Sequence, residues 1–148
     1  MTQPVRVLLV EDNEGDVELM RTALDAQRVI IDLEVCTDGS QALTRLRRES
    51  PYEEAGLPDV VLLDLNLPGI SGLQVLEAMQ ADVRLRTIPV IMVTTSEAET
   101  DVFCSYAQGA NAFVTKPHLV SDFMDAMQTL GEFWFVVAKR RPEVGDLP

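Results

Sequence analysis

The amino-acid sequence predicts an α/β protein built on one doubly wound parallel β-sheet with helices on both faces. Five short apolar segments alternate strictly with segments in which apolar residues recur at helical spacing. Three of the five predicted strands, at residues 5–10, 60–63 and 88–93, are too continuously apolar to face water on either side. Strands buried on both faces are typical of parallel sheets that helices cover from both sides.

The first half of the chain contains two predicted strands, each followed by a helix. The buried strand 5–10 runs into a polar cluster and then into a helix over residues 16–27, whose apolar positions are Val17, Met20 (or Leu19), Ala23 and Leu24. Residues 29–35 alternate apolar and acidic side chains, which predicts a half-exposed strand at the edge of the sheet. Asp38 is the predicted N-cap of a second helix, whose apolar positions are Ala42, Leu43 and Leu46.

The second half begins with a loop and continues the same alternation. Residues 49–58 contain two prolines and a glycine, which favours a loop insertion. Strand 60–63 precedes a helix over residues 71–81, with inward positions at Leu73, Val75, Leu76 and Met79. Strand 88–93 precedes a weaker helix over residues 97–108, with apolar residues at Val102, Cys104, Tyr106 and Ala107. A short strand at 112–114 and a long helix at 119–138 complete the pattern.

Length and composition exclude several classes of protein. The 148 residues suffice for one domain, which we expect over residues 1–138, with a polar tail at 139–148 and no output domain. Asp and Glu total 24 against 12 Lys and Arg, and this net charge of −12 argues against binding to nucleic acid or to an anionic membrane. No apolar run approaches the ~20 residues of a membrane-spanning helix. Two cysteines without metal-site spacing favour a cytoplasmic location.

Polar residues collect at the carboxyl ends of the predicted strands, where open parallel sheets bind their ligands. They are Glu11 and Asp12 after the first strand, Asp64 after the third, Thr94 after the fourth and Lys116 after the fifth. Three carboxylates in one crevice repel one another, and a hard divalent cation relieves that repulsion. Because Mg²⁺ takes one or two carboxylates together with waters and phosphate oxygens, the pattern predicts a magnesium site that can also receive phosphate.

Lys116 is one of only two lysines in the chain. A flexible ammonium group at the end of a buried strand suits pairing with a phosphoryl group or a carboxylate. The alternative is a surface lysine whose stem packs on apolar neighbours at the strand terminus. The other polar residues at the same edge favour the first interpretation.

Four short motifs at successive strand ends resemble those of a known family. They read Val-Glu-Asp-Asn at 10–13, Leu-Asp-Leu-Asn-Leu-Pro-Gly at 63–69, Val-Thr-Thr at 93–95 and Thr-Lys-Pro at 115–117. In this order they resemble the signatures of the receiver domains of bacterial two-component response regulators, and the resemblance covers roughly residues 5–137. It implies a five-stranded sheet in the order 2-1-3-4-5.

The resemblance also implies a phosphoryl-transfer chemistry. Asp64 is the implied phosphoacceptor, which takes a phosphoryl group from a partner histidine kinase in a Mg²⁺-dependent reaction. The implied metal ligands are the carboxylates of Asp12 and Asp64 and the backbone carbonyl of Asn66, with Glu11 acting through bound water. Together with the metal, Lys116 is implied to neutralise charge on the transferred group.

Two further residues occupy positions that the family uses as a switch. Thr94 is implied to hydrogen-bond the phosphoryl group, and Phe113 is implied to repack in response and so to change the surface beside it. Such a protein is a signalling phosphoacceptor that catalyses only its own phosphorylation and dephosphorylation, rather than an enzyme with a separate substrate.

Other interpretations use the same residues less well. A haloacid-dehalogenase-type phosphatase needs an acidic residue two positions after its nucleophilic aspartate, where this chain has Asn66. A flavodoxin-type flavin carrier needs a hydroxyl- and glycine-rich phosphate loop after the first strand, where Glu11 and Asp12 would repel phosphate. A receiver-like scaffold that binds partners without being phosphorylated stays open.

The final predicted helix and the loop 49–58 indicate which partners to expect. The helix ends in an apolar run at 133–138, and we expect Phe133, Phe135 and Val136 to form part of a homodimer interface, with core burial as the alternative. Three segments are similar to those of stand-alone receivers that are paired with bacterial phytochrome kinases. They are the loop 49–58, the run at 94–96 and the Phe-Trp pair at 133–134. We therefore expect a phytochrome-type kinase as partner, and a chemotaxis-type regulator is the alternative.

Overall fold

The computed structural model describes residues 4–26, 30–94 and 99–115, which contain five strands and four helices. In chain order these are β1 (Val5–Val10), α1 (Glu14–Asp25), β2 (Ile31–Cys36), α2 (Gly39–Leu46), β3 (Val60–Leu63), α3 (Gly72–Ala81), β4 (Val90–Thr94), α4 (Glu99–Ala107) and β5 (Ala112–Thr115). The predicted helix 119–138, with Phe133, Phe135 and Val136, lies outside these residues, as does the tail. The homodimer interface therefore stays a prediction. Within the described ranges, no helix is long and apolar enough to cross a membrane.

The five strands form one parallel sheet in the order β2-β1-β3-β4-β5. This order confirms the topology implied by the family resemblance, and β2 has the edge position that its alternating pattern predicts. β1 and β3 are neighbours in the register Val10↔Leu63, so the residues that follow these two strands emerge side by side. The connections leave β1 and β3 in opposite directions, and a crevice opens at this switch point.

Two apolar layers hold the sheet between its helices. Alternate side chains of a strand point to opposite faces. In β1, Leu8 and Val10 therefore belong to the layer that contains α2 and α3, whereas Val7 and Leu9 belong to the layer that contains α1. β3 and β4 contribute buried residues to both layers, which confirms the prediction of helices on both faces.

Each of the first three helices begins after a side-chain N-cap. The side chain of Asn13 accepts a hydrogen bond from the Asp16 N–H at 2.9 Å, so α1 begins two residues before the predicted start. Asp38 caps α2 as predicted. Ser71 forms a reciprocal capping box at the start of α3. These caps determine where each helix leaves the carboxyl edge of the sheet.

β4 begins at Val90 rather than at the predicted residue 88. The Ile88 N–H donates to the Leu85 carbonyl at 3.0 Å, which places Ile88 in the turn after α3. Pro89 has no N–H for the strand ladder, although its carbonyl accepts from the Val61 N–H at 3.0 Å. The apolar pattern at 88–93 therefore combines one buried turn residue with the strand.

One acidic position of β2 is less exposed than its alternating pattern predicts, because it pairs with a buried arginine. Arg45, in the last turn of α2, is 6% exposed, and its Nε donates to the two oxygens of Glu34 at 2.8 and 2.7 Å. Its guanidinium lies 6.0 Å from the centre of the Tyr52 ring, and the Tyr52 hydroxyl accepts from Gln41 Nε2 at 3.2 Å. The predicted loop 49–58 is thus packed onto α2 through Tyr52.

α4 buries a different residue from those in its apolar pattern. Cys104, Tyr106 and Ala107 are exposed, whereas Ser105 is fully buried. The Ser105 Oγ donates to the Asp101 carbonyl at 2.8 Å, which satisfies the hydroxyl within the helix. Hydrophobicity alone could not predict this burial, because the polar atom has a hydrogen-bond partner in its own helix.

The two cysteines are expected to differ strongly in reactivity. Cys36 is buried, and this burial, with a smaller effect of the Glu34 carboxylate, raises the pKa of its thiol to about 12. Cys104 is exposed. Because the thiolate is the nucleophile, brief alkylation near pH ~8 should label Cys104 alone by mass spectrometry, with Cys36 labelled only in denaturant. Rapid labelling of Cys36 in the folded protein would contradict this assignment.

Candidate functional site

Glu11 and Asp64 emerge from neighbouring strands at the carboxyl edge of the sheet. The Asp64 N–H donates to the Val10 carbonyl at 3.1 Å, and the Glu11 N–H donates to the Cys36 carbonyl at 3.0 Å. These bonds continue the strand ladders by one residue, so each backbone is fixed before its side chain leaves the sheet. The crevice at the β1–β3 switch point therefore receives both carboxylates.

Glu11, Asp12 and Asp64 form one acidic cluster at this edge. One carboxylate oxygen from each residue lies within 4.8 Å of the others. Glu11 is 3% exposed and Asp64 is 7% exposed, whereas Asp12 is exposed, so the cluster is closed towards the core and open to solvent. Oxygen donors with this much negative charge are the ligands that hard divalent cations such as Mg²⁺ prefer, so the residues fit such an ion.

Backbone amides orient the two buried carboxylates of the cluster. The Asn13 N–H donates to Glu11 Oε2 at 3.2 Å, and the Asn66 N–H donates to Asp64 Oδ1 at 3.1 Å. In both cases the donor is two residues further along the chain, so each loop turns back over its own carboxylate. A side chain held by such a bond is already in place when a ligand arrives.

The loop after Asp64 is anchored by two leucines. Leu65 and Leu67 are buried and belong to the apolar layer that contains α2 and α3. Asn66, between them, is exposed, and Gly69 turns the chain with a φ of 71°. The leucines on either side therefore hold residue 66 at the mouth of the crevice.

The structure describes the other predicted site residues only in part. β4 ends at Thr94, and the pairing Thr94↔Thr115 brings the end of β5 to the same edge as the acidic cluster. Phe113 is half-buried against the layer that contains α2 and α3. Lys116 lies outside the described residues. The contacts expected between a phosphoryl group and Lys116 or Thr94 stay predictions.

Three residues shape the site although they are not among the predicted site residues. Asn13 orients Glu11 through its backbone amide and caps α1 through its side chain. Gly72 and Gly39 are the first residues of α3 and α2, and both are closely packed. The signal that could have indicated the two glycines is a capping residue followed directly by glycine, as in Asp38-Gly39 and Ser71-Gly72.

Comparison with known proteins assigns the family. The family model of the response regulator receiver domain matches residues 7–128. The chain belongs to this family. Its membership confirms the family expected from the four strand-end motifs, and it agrees with the strand order of the sheet. The matched residues 7–128 lie within the domain predicted at residues 1–138.

The receiver domain is similar along most of its length to characterised regulators. Response regulator Rcp1 from Synechocystis sp. is 35% identical over 131 residues, covering 88% of this chain and 89% of that protein. The structure of the phosphorylated cyanobacterial phytochrome response regulator RcpA matches with a TM-score of 0.91 at 36% identity, covering 95% of this chain and 100% of that one. The Mn²⁺-bound form of Rcp1 matches with a TM-score of 0.90 at 33% identity, covering 94% and 100%.

Proposed function

We propose that this receiver domain, in the cytoplasm, accepts a phosphoryl group on Asp64 from a partner histidine kinase and signals through its own surface. The placement of Asp64 carries the proposal. Asp64 directly follows the central strand of the sheet, is buried, is oriented by the Asn66 amide and lies in a cluster of three carboxylates. An oriented carboxylate beside a cation-binding cluster has what a phosphoryl acceptor needs. The domain would then catalyse only its own phosphorylation and dephosphorylation.

In the proposed reaction, a carboxylate oxygen of Asp64 attacks the phosphorus of the kinase's phosphohistidine. An oxygen–phosphorus bond forms while the nitrogen–phosphorus bond breaks, and the released electron pair stays on the imidazole nitrogen, which takes a proton from solvent. The Asn66 N–H keeps the attacking carboxylate in a fixed orientation throughout. In phosphoryl transfer, such positioning and the neutralisation of charge account for most of the reduction in the activation barrier.

Mg²⁺ is the proposed cation. The carboxylates of Asp12 and Asp64 and the backbone carbonyl of Asn66 would hold it, and Glu11 would add negative charge at the buried side of the cluster. When bound, the ion offsets the negative charge of the phosphoryl oxygens. The Mn²⁺-bound structure of the similar protein Rcp1 supports a divalent cation in this kind of domain.

The proposed partner is a phytochrome-type histidine kinase. The similarity to RcpA, a cyanobacterial phytochrome response regulator, supports this choice. In a phosphotransfer assay against purified kinases of the host, transfer from a phytochrome-type kinase should be fastest. Faster transfer from a kinase of another class would contradict the pairing and favour the chemotaxis-type alternative.

The phosphoacceptor proposal is tested by intact-protein mass spectrometry. Incubation with acetyl phosphate and Mg²⁺ should add the mass of one phosphoryl group, and chelation of the metal by EDTA should prevent the gain. Absence of any gain under conditions that phosphorylate a known receiver would contradict the proposal and favour a scaffold that binds partners without phosphorylation.

A further inference from the structure

Gly72, the first residue of α3, packs directly against the backbone that carries Asp64. A methyl group at Gly72 would overlap the carbonyl oxygen of Asp64 and would lie 2.8 Å from the Cα of Leu65, closer than any real contact of this kind. The Gly72 N–H also donates to the Leu65 carbonyl at 2.9 Å. The start of α3 and the loop after Asp64 therefore approach so closely that only a residue without a side chain fits at position 72.

α3 is firmly held at this contact. The capping box at Ser71 fixes the start of the helix, and Val75 and Leu76, in its next turn, are fully buried. A side chain at position 72 would thus force the Asp64–Leu65 peptide and α3 apart and change the position of that peptide relative to its surroundings. Because that peptide lies between Asp64 and Asn66 in the chain, its displacement would move both the phosphoacceptor and the proposed metal-binding carbonyl.

Gly39 packs closely against the other end of the same loop, at Ile70. A methyl group at Gly39, the first residue of α2, would lie 2.6 Å from the Ile70 carbonyl oxygen and 3.0 Å from Cγ2 of Val75. Gly69, at the tip of the loop, has no neighbour within 4 Å of such a methyl group. The loop is therefore held closely at its two ends and has space at its tip.

We propose that Gly72 is a positioning residue for phosphoryl transfer: the absence of a side chain there sets the place of the Asp64 carboxylate relative to Glu11 and Asp12. Gly39 supports the same loop from α2. The proposal rests on the phosphoacceptor function of Asp64. It is distinct from a role in folding, because it assigns the effect of a side chain at position 72 to the geometry of the acidic cluster.

The test compares Gly72→Ala with Gly15→Ala. Gly15 lies in the first turn of α1, and a methyl group there would lie 3.2 Å from the side-chain Oδ1 of Asn13, with no atom of the loop after Asp64 within 4 Å. Mn²⁺ affinity is measured by calorimetry, and the phosphorylation rate is measured with acetyl phosphate at saturating Mg²⁺. Gly72→Ala should lower both by at least about tenfold, since displacements near 1 Å at a reacting group have effects of this size. Gly15→Ala should change neither by more than about twofold.

Thermal unfolding separates this role from a structural one. A Gly72→Ala protein that melts at a lower temperature, yet keeps the wild-type Mn²⁺ affinity and the wild-type rate per folded molecule, overturns the proposal. If Gly72→Ala does not fold, Gly39→Ala decides, with an expected loss of about threefold to tenfold in both measurements and a wild-type result overturning the proposal. If the wild-type protein is not phosphorylated, the phosphoacceptor function fails, and the Mn²⁺ affinities still decide whether Gly72 positions the cluster.

Discussion

Replacing Asp64 with asparagine is expected to abolish phosphorylation and, without divalent cations, to raise the free energy of unfolding by about 1 kcal/mol. The amide cannot act as the nucleophile. The replacement also removes one of the three negative charges of the acidic cluster, in which one oxygen from each residue lies within 4.8 Å of the others. Removing this charge relieves repulsion in the folded state. Mass spectrometry after incubation with acetyl phosphate measures the first effect, and urea unfolding in EDTA measures the second.

Asp59→Asn is the matched control for this experiment. Asp59 immediately precedes β3, whereas Asp64 immediately follows it, and both are buried. Asp59 Oδ2 accepts from the Arg6 N–H at 2.9 Å and lies 3.8 Å from Arg6 Nε. Its replacement should leave phosphorylation intact but lower the free energy of unfolding by about 1–3 kcal/mol, because a partly buried charge-assisted contact is weakened. Phosphorylation of the Asp64→Asn protein, or its loss in the Asp59→Asn protein, would refute the assignment.

Replacing Asp12 with asparagine is expected to weaken Mg²⁺ binding by about 100-fold or more. Asp12 is the exposed member of the cluster, so its charge is directly available to an ion entering from solvent. Loss of groups that only support metal ligands already costs about 10–100-fold in affinity, and loss of a ligand charge should cost at least as much. Isothermal titration with Mg²⁺ measures the affinity. The rise in melting temperature on adding Mg²⁺ should shrink accordingly, because binding to the folded state stabilises it.

Glu14→Gln removes the same charge two residues away and serves as the control. Glu14 is exposed in the first turn of α1 and does not belong to the acidic cluster. Its effect should be limited to the long-range field, which salt at ~0.15 M screens beyond about 8 Å. Equal losses of affinity in Asp12→Asn and Glu14→Gln would mean that net charge, rather than coordination by Asp12, determines metal binding.

The residues of the acidic cluster were predictable because the rules that bring them together are simple. Glu11, Asp12 and Asp64 each follow an apolar strand, and the carboxyl ends of parallel strands meet at one edge of a sheet. The alternation of strands and helices could be predicted for the same reason, since side-chain periods of 2.0 and 3.6 are visible in the sequence.

The differences from prediction share one cause. Ser105, which is not among the apolar positions predicted for its helix, is buried because a hydrogen bond in its own helix satisfies it, and Arg45 is buried because Glu34 on another element pairs with it. Ile88 looks like a strand residue, yet its N–H bonds within a turn. Each outcome depends on a specific partner atom, and residue type alone does not reveal that partner.

The fold class, the family and the meeting of the three carboxylates in the crevice could be predicted from the chain alone, because strand periodicity, strand-end position and short motifs are local properties of the sequence. How those carboxylates are held becomes visible only in the folded chain. The amide of Asn66 on Asp64, the amide of Asn13 on Glu11 and the close contact of Gly72 with the phosphoacceptor backbone are distances between atoms. Such distances follow from how whole elements pack against one another, and packing is a property of the assembled chain.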